Sequence, residues 1–118
     1  MIAVIFEVTP ADDRRSTYLQ MAAALWPELE KMDGFLSVER FESLSKPGKL
    51  LSLSFWRDEA AIRQWRNTAE HRAAQHAGRN GVFAGYRLRI AGVLRDYGLA
   101  ERDEAPDDSR QFHAAAEA

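Results

Sequence analysis

Strand and helix patterns alternate along this chain in an order that few folds accept. The predicted elements, in chain order, are a strand over 2–8, a helix from 10 to 32, strands over 35–44 and 50–56, a helical segment over 59–77, and a strand over 83–97. The turn residues Lys46-Pro47-Gly48-Lys49 join the second and third strands as a hairpin. The order β-α-β-β-α-β predicts a ferredoxin-like α+β fold, in which two helices cover one face of a four-stranded antiparallel sheet.

Local start and stop signals set the limits of the helices. Thr9 and Pro10 are a typical N-cap and first helical residue, so the first helix is predicted to begin there. Pro27 lies inside this helix and predicts a kink or a break. Asp58 is the predicted N-cap of the second helix, and Thr68 is the predicted N-cap of a further helical segment.

The strands carry apolar side chains on both faces, whereas two short helices can cover only one face. Two short helices cannot cover all of the apolar strand residues, which are Phe6, Leu53, Phe55, Leu88 and Ile90 together with Ala3, Ile5 and Leu36. Large contiguous apolar surfaces are rare on monomeric soluble proteins. We therefore expect the uncovered sheet face to pack on a second copy of the chain, which makes the protein a homodimer.

Composition excludes several classes of protein. The 118 residues allow one domain, and the net charge of −2 gives no reason to expect a nucleic-acid partner. The absence of cysteine removes disulfides, cysteine-ligated metals and thiol catalysis, and it fits a reducing cytoplasm. No apolar run approaches the ~20 residues that span a bilayer, and residues 1–6 resemble a strand rather than a signal peptide. We therefore expect a cytoplasmic protein with no membrane partner.

Charge divides the chain unevenly. Residues 57–95 hold eight Arg against three acids, whereas residues 99–118 hold two Arg against six acids. We therefore divide the chain into one domain over 1–98 and an acidic C-terminal tail over 99–118. The tail either folds back on the body or on a partner chain, or it is frayed and solvated.

Several stretches resemble the antibiotic biosynthesis monooxygenase family in their order and spacing. The first is Gly-Phe-Leu-Ser-Val-Glu-Arg-Phe-Glu-Ser at 34–43, and the second is Leu-Ser-Phe-Trp-Arg-Asp-Glu at 53–59. Trp65 follows, with Glu-His-Arg at 70–72 and Gln-His at 75–76. The domain over 1–98 is therefore interpreted as an antibiotic biosynthesis monooxygenase-like domain.

This resemblance implies a homodimer whose two sheets close into an α+β barrel, with a small apolar pocket between sheet and helices in each subunit. The family includes oxygenases that act on electron-rich phenolic or quinol-type substrates without metal or flavin, and other members degrade haem. The resemblance thus implies a monooxygenase that needs no cofactor and takes a small aromatic ligand. The alternative is a non-catalytic dimeric module that binds a small ligand or a partner protein.

His71 is the first candidate for a catalytic residue. An imidazole titrates near neutral pH and can remove a phenolic proton, which is the step that the resemblance implies. His76 competes with it, because on one unbroken helix His76 shares the face of Trp65 while His71 points about 120° away. A helix break near Thr68 resets this phase and leaves the choice open. The structural alternatives are an exposed helix residue for His71 and a core-edge residue bonded to backbone for His76.

The predicted substrate-binding residues are Trp65, His76, Trp56, Glu7 and Arg72. Trp65 and Trp56 are suited to stack an aromatic substrate, although tryptophans at such positions are more often plain core. Arg72 and His76 lie on the helix face of Trp65 if the helix is continuous.

Glu7 interrupts an otherwise apolar strand. It is interpreted either as an ion-pair partner of Arg40 or Arg89 or as a base with a raised pKa. No metal site is predicted, because His71 and His76 are five residues apart, whereas paired metal ligands on a helix are usually three or four apart.

Haem binding is the third hypothesis for function. The haem-degrading branch of the family has an Asn on the first strand, a Trp on the second helix and a His ten residues after that Trp. The corresponding residues here are Glu7, Trp65 and Gln75, with His76 one residue further along. Only the Trp matches, so the motif is incomplete.

Overall fold

A computed structural model describes residues 1–117 of the chain. Its elements, in chain order, are β1 (Ile2–Pro10), α1 (Arg15–Glu30), β2 (Phe35–Glu42), β3 (Leu50–Trp56), α2 (Glu59–Arg66), α3 (Ala69–Ala77), β4 (Phe83–Gly92) and α4 (Asp107–Glu117). The four strands form one antiparallel sheet in the order β2-β3-β1-β4. This is the predicted ferredoxin-like α+β arrangement.

Helix α1 begins later than predicted. β1 continues to Pro10, which pairs with Phe83 beyond an irregularity in the strand register, so the Thr9–Pro10 pair ends a strand rather than starting a helix. The helix starts at Arg15 after a turn in which Asp13 has a φ of 64°. Of the two outcomes predicted at Pro27, a kink or a break, the break is wrong, because α1 continues through Pro27 to Glu30.

The second helical segment is two helices, each with the predicted cap. The Asp58 carboxylate accepts a hydrogen bond from the Ala61 backbone N–H at 2.9 Å and starts α2. The Thr68 hydroxyl accepts one from the His71 backbone N–H at 3.2 Å and starts α3. The break between α2 and α3 therefore resets the helical phase, and this decides which histidine faces the sheet.

Two predicted strands are longer than the observed ones. β2 ends at Glu42 rather than Leu44, and β4 ends at Gly92 rather than Tyr97. Beyond β4 the chain forms local structure instead of sheet. The Arg102 guanidinium donates to the Gly98 carbonyl at 3.1 Å and to the Ser109 hydroxyl at 2.8 Å. The sequence pattern gave no element in this tail, whereas the structure has α4 there.

The strand register arranges side chains in rows across the sheet. On the face that the helices cover, two middle rows run Val38–Ser54–Val4–Ile90 and Arg40–Ser52–Phe6–Leu88. One core cluster lies at one end of these rows and consists of Leu29, Trp56, Ala61, Ile62 and Trp65. The other lies at the opposite end and consists of Val8, Tyr18, Leu50 and Val82. The core is therefore divided in two, with the middle rows between the parts.

The opposite face of the sheet, here called the open face, is apolar at its centre. Ile5 of β1 pairs with Leu53 of β3 on this face, and Phe55 lies beside Ala3. Phe6, Leu88 and Ile90, which were predicted to compete with these residues for cover by the helices, lie on the helix-facing side instead. Among residues 1–117, no helix is both long and apolar enough to cross a membrane.

Candidate functional site

A cavity of about 370 Å³ lies between the middle rows of the sheet and the helices. Its volume is within the range of small-molecule sites, about 300–1,000 Å³. The two middle rows form its floor, and its roof comes from Met21, Ala22 and Leu25 of α1, Ile62, Trp65 and Arg66 of α2, and His71, Ala74 and Gln75 of α3. The floor residues of β4 are exposed, so the cavity opens to solvent along that strand.

Two serines at the centre of the floor leave this space open. Ser52 and Ser54 are the helix-facing residues in the middle of β3, where most cores place a large apolar side chain. Ser54 also accepts a hydrogen bond from the indole Nε1 of Trp56 at 2.9 Å, which fixes the orientation of that ring at the end of the cavity. The alternation of Leu and Ser along β3 is the sequence signal for the cavity.

His71 lines the cavity roof beside Trp65, with the two ring centroids 5.1 Å apart. Its Nδ1 atom is buried and has no hydrogen-bond partner in the described part of the chain. Burial lowers the pKa of His71 from its usual 6.5, a polar contact of the ring with the backbone of Arg66 raises it in part, and the charges of Arg66 and Arg72 lower it further. The neutral ring, which can accept a proton, is therefore favoured at neutral pH.

The structure brings three of the predicted residues to the cavity, namely Trp56, Trp65 and His71. Trp56 and Trp65 also belong to a core cluster, so they pack the fold and wall the cavity at once. His76 and Arg72 are exposed on the other sides of α3, because the break before Thr68 turns His71 inward in their place. The prediction that His76 shares the helix face of Trp65 assumed one continuous helix over residues 59–77.

Glu7 lies on the open face, away from the cavity. Its carboxylate contacts the Lys49 ammonium at 3.1 Å and the Arg89 guanidinium at 3.3 Å, which is one of the two ion pairs considered from the sequence. Hydrogen bonds from these two groups hold the pKa of Glu7 below its usual value, the reverse of the raised pKa that a base would need. Arg40 cannot join this pair, since it faces the helices on the other side of the sheet.

Three arginines at the cavity were missed as site residues. Arg40 lies on the floor, Arg66 at the end of α2, and Arg79 in the irregular turn Gly78–Val82. The period-two pattern of β2 places Arg40 on the same face as Val38, and this was the signal available in the sequence. Within the part of the chain that the structure describes, no cluster of His, Asp and Glu is suited to hold a metal ion.

Comparisons with known proteins agree with the fold. A family model described as antibiotic biosynthesis monooxygenase matches residues 1–77. The chain is 52% identical over 93 residues to jasmonate monooxygenase ABM of Pyricularia oryzae, an alignment that covers 79% of this chain and 43% of that protein. The chain thus spans less than half the length of that relative.

Two further proteins are similar over most of their length. The uncharacterized protein YqjZ of Bacillus subtilis is 31% identical, with 79% of each chain covered. The structure of Rv0793 from Mycobacterium tuberculosis superposes with a TM-score of 0.73 at 20% identity, covering 82% of this chain and 98% of that one. The matched family model extends over more than half of the chain, and this chain therefore belongs to the antibiotic biosynthesis monooxygenase family.

Proposed function

We propose that this protein is a cofactor-independent monooxygenase that oxidises a small electron-rich aromatic substrate of the phenol or quinol type in the cavity. The observation that carries the proposal is the position of the His71 imidazole on the cavity wall, with its ring centroid 5.1 Å from that of Trp65. A buried neutral imidazole is a suitable base for a phenolic proton, and the indole ring is a suitable surface for an aromatic ring.

The proposed reaction begins with transfer of the phenolic proton to His71. The phenolate then gives one electron to dioxygen, and the resulting phenoxyl radical and superoxide combine to form a carbon–oxygen bond. The peroxide takes the proton from His71 and becomes a hydroperoxide. Loss of the ring C–H proton and cleavage of the O–O bond give a quinone and water. One phenol and one O₂ are consumed, and the substrate supplies all four electrons, so no external reductant is needed.

The same proposal includes a homodimer formed through the open face. The centre of this face carries Ile5, Leu53 and Phe55 side by side, and none of α1, α2 and α3 covers it. Burial of such a patch against a second copy follows from its apolar character. The Glu7 carboxylate and its two cationic partners lie on the same face and provide a polar group that is already paired.

Oxygen uptake with a panel of phenols and quinols tests the proposed activity. The wild-type protein should consume O₂, and His71→Ala should reduce the rate by about 10²- to 10⁴-fold, the usual contribution of a general base. His113→Ala is the matched control, since this exposed histidine lies on α4. Equal rates for wild type and His71→Ala would refute the role of His71. Saturable binding of phenols without O₂ uptake would favour the non-catalytic ligand-binding module.

A second candidate activity is the oxidation of jasmonate. The 52% identity to a protein named jasmonate monooxygenase favours it. Insertion of one oxygen atom into jasmonate reduces the other atom of O₂ to water and needs two further electrons, so the assay contains jasmonate, O₂ and a two-electron donor such as a reduced nicotinamide. Mass spectrometry of the product tests this candidate separately from the phenol panel. A product heavier by one oxygen atom would support it, and unchanged jasmonate with active phenol turnover would exclude it.

A further inference from the structure

The cavity is apolar in most of its wall but carries positive charge at specific points. Among the described residues that line it, Arg40, Arg66 and Arg79 carry a permanent positive charge, and none is an Asp or Glu. The whole chain has a net charge of −2, so this positive cavity does not follow from overall composition. A ligand that neutralises positive charge therefore fits the cavity better than a neutral one.

Arg40 is the most deeply placed of the three arginines. It stands on the floor at the β2 edge, next to Ser52 across the strand pair, and its Nε atom is buried without a hydrogen-bond partner in the described residues. Leaving a buried charged donor unpaired is costly, because the group has lost its water and gained no acceptor. Arg40 therefore lines the cavity and carries a donor whose hydrogen-bonding capacity is unsatisfied.

The nearest carboxylate on the same face of β2 is already occupied. Glu42 follows Arg40 by two residues, and it accepts a hydrogen bond from the Arg15 guanidinium at 2.7 Å. Within the described residues Arg40 itself forms no salt bridge. The pairing of Arg15 with Glu42 leaves the guanidinium of Arg40 available to a ligand.

We propose that the substrate of this cavity carries a carboxylate and that Arg40 binds it. This inference rests on the proposed function, because it names the class of that substrate. A guanidinium presents Nε–H and a terminal N–H side by side and can hold both oxygens of a carboxylate. The row from Arg40 through Ser52 and Phe6 to Leu88 spans three strand spacings, or about 14 Å. A molecule with a carboxylate at one end and an apolar or aromatic body fits along it.

The test compares an acid with its neutral ester. The probes are 3-(4-hydroxyphenyl)propionate and its methyl ester, and binding is followed by quenching of tryptophan fluorescence, since Trp56 and Trp65 wall the cavity. The wild-type protein should bind the acid about 10- to 100-fold more tightly than the ester, as expected for a charge-assisted pair. Arg40→Met should lose this preference and still bind the ester.

Two further variants separate the role of Arg40 from a general effect of charge or folding. Arg14→Met removes an equal charge at an exposed residue and should keep the full preference. Arg40→Lys keeps the charge but lacks the paired donors, so it should keep only part of the preference for the acid over the ester. If Arg40→Met does not fold, Arg40→Lys alone decides, because an unchanged preference in that variant would refute paired binding.

The outcomes distinguish this inference from the proposed activity. Equal binding of acid and ester by the wild-type protein, or binding of neither, would overturn the inference. Oxidation of the ester without a preference for the acid would leave the monooxygenase proposal intact and refute the carboxylate. Preferential binding of the acid without O₂ uptake would support a ligand that carries a carboxylate and refute the monooxygenase activity.

Discussion

Filling the cavity should make the protein more stable and less active at the same time. Ser52 lies at the centre of the cavity floor and forms no part of the Ser54–Trp56 hydrogen bond. In Ser52→Leu, the new side chain enters a space of about 370 Å³, so it can adopt an ordinary rotamer without displacing its neighbours. The same side chain occupies the row between Arg40 and Phe6, where the proposed ligand lies.

The size of the effect follows from the surface that leucine removes from water. Full burial of a leucine side chain is worth about 1.5–3 kcal/mol, and cavity-filling substitutions commonly yield about 0.5–2 kcal/mol. Because this cavity is open along β4, we expect the free energy of unfolding to rise by about 1 kcal/mol. The melting temperature should then rise by about 4 °C.

Urea denaturation of Ser52→Leu measures the first effect, and O₂ uptake with the best phenol of the panel measures the second. Ser45→Leu is the matched control, because Ser45 lies in an exposed turn, and it should change neither quantity. A loss of more than about 1 kcal/mol in Ser52→Leu would mean that the space is already filled by packing. Full activity in a stabilised variant would mean that the reaction takes place elsewhere.

Three other predictions concern pH, assembly and a helix cap. Because burial lowers the pKa of His71 below its usual 6.5, phenol oxidation should fall to half its maximal rate at a pH below 6.5. Arg72→Gln, which removes a nearby positive charge, should move this midpoint toward higher pH, and a wild-type midpoint above pH 6.5 would contradict the assignment. Leu53→Arg places a charge at the centre of the open face and should convert a dimer of 13.4 kDa chains into monomers by analytical ultracentrifugation, whereas a monomeric wild-type protein would refute the interface. Asp58→Ala removes the side-chain cap of α2 and should lower the free energy of unfolding, measured by urea denaturation, by about 1 kcal/mol. Asp58→Asn keeps a side-chain oxygen at this position and should retain most of the wild-type stability.

The sequence predicted the fold well because its strand and helix periods are strong and its caps are local. Asp58 and Thr68 each bond to a backbone N–H three residues away, so a short window contains the whole signal. The start of α1 was wrong because Pro10 suits a strand end as well as a first helical turn, and only pairing with β4 decides between them.

The site was harder to predict because its residues meet through the fold. The choice between His71 and His76 depended on whether the helix breaks, since one altered turn rotates every later side chain. Arg40 was considered only as a partner of Glu7, because the sequence does not say which face of β1 lies toward the helices. Once the register puts these two residues on opposite faces, Arg40 becomes a residue of the cavity.

The two faces of β3 connect the stability of the fold to the proposed homodimer. On the cavity face the middle of this strand contributes only Ser52 and Ser54, whereas on the open face it contributes Leu51, Leu53 and Phe55. Leu50 and Trp56 at the ends of β3 are buried within one chain, whereas the apolar side chains at its centre gain full burial only in the proposed dimer. Assembly that binds only the folded chain stabilises it by mass action. The melting temperature of the wild-type protein should then rise with protein concentration, whereas that of Leu53→Arg should be lower and independent of concentration. A wild-type melting temperature that stays constant over a hundredfold range of concentration, down to the nanomolar range, would mean that the chain holds its open face without a partner.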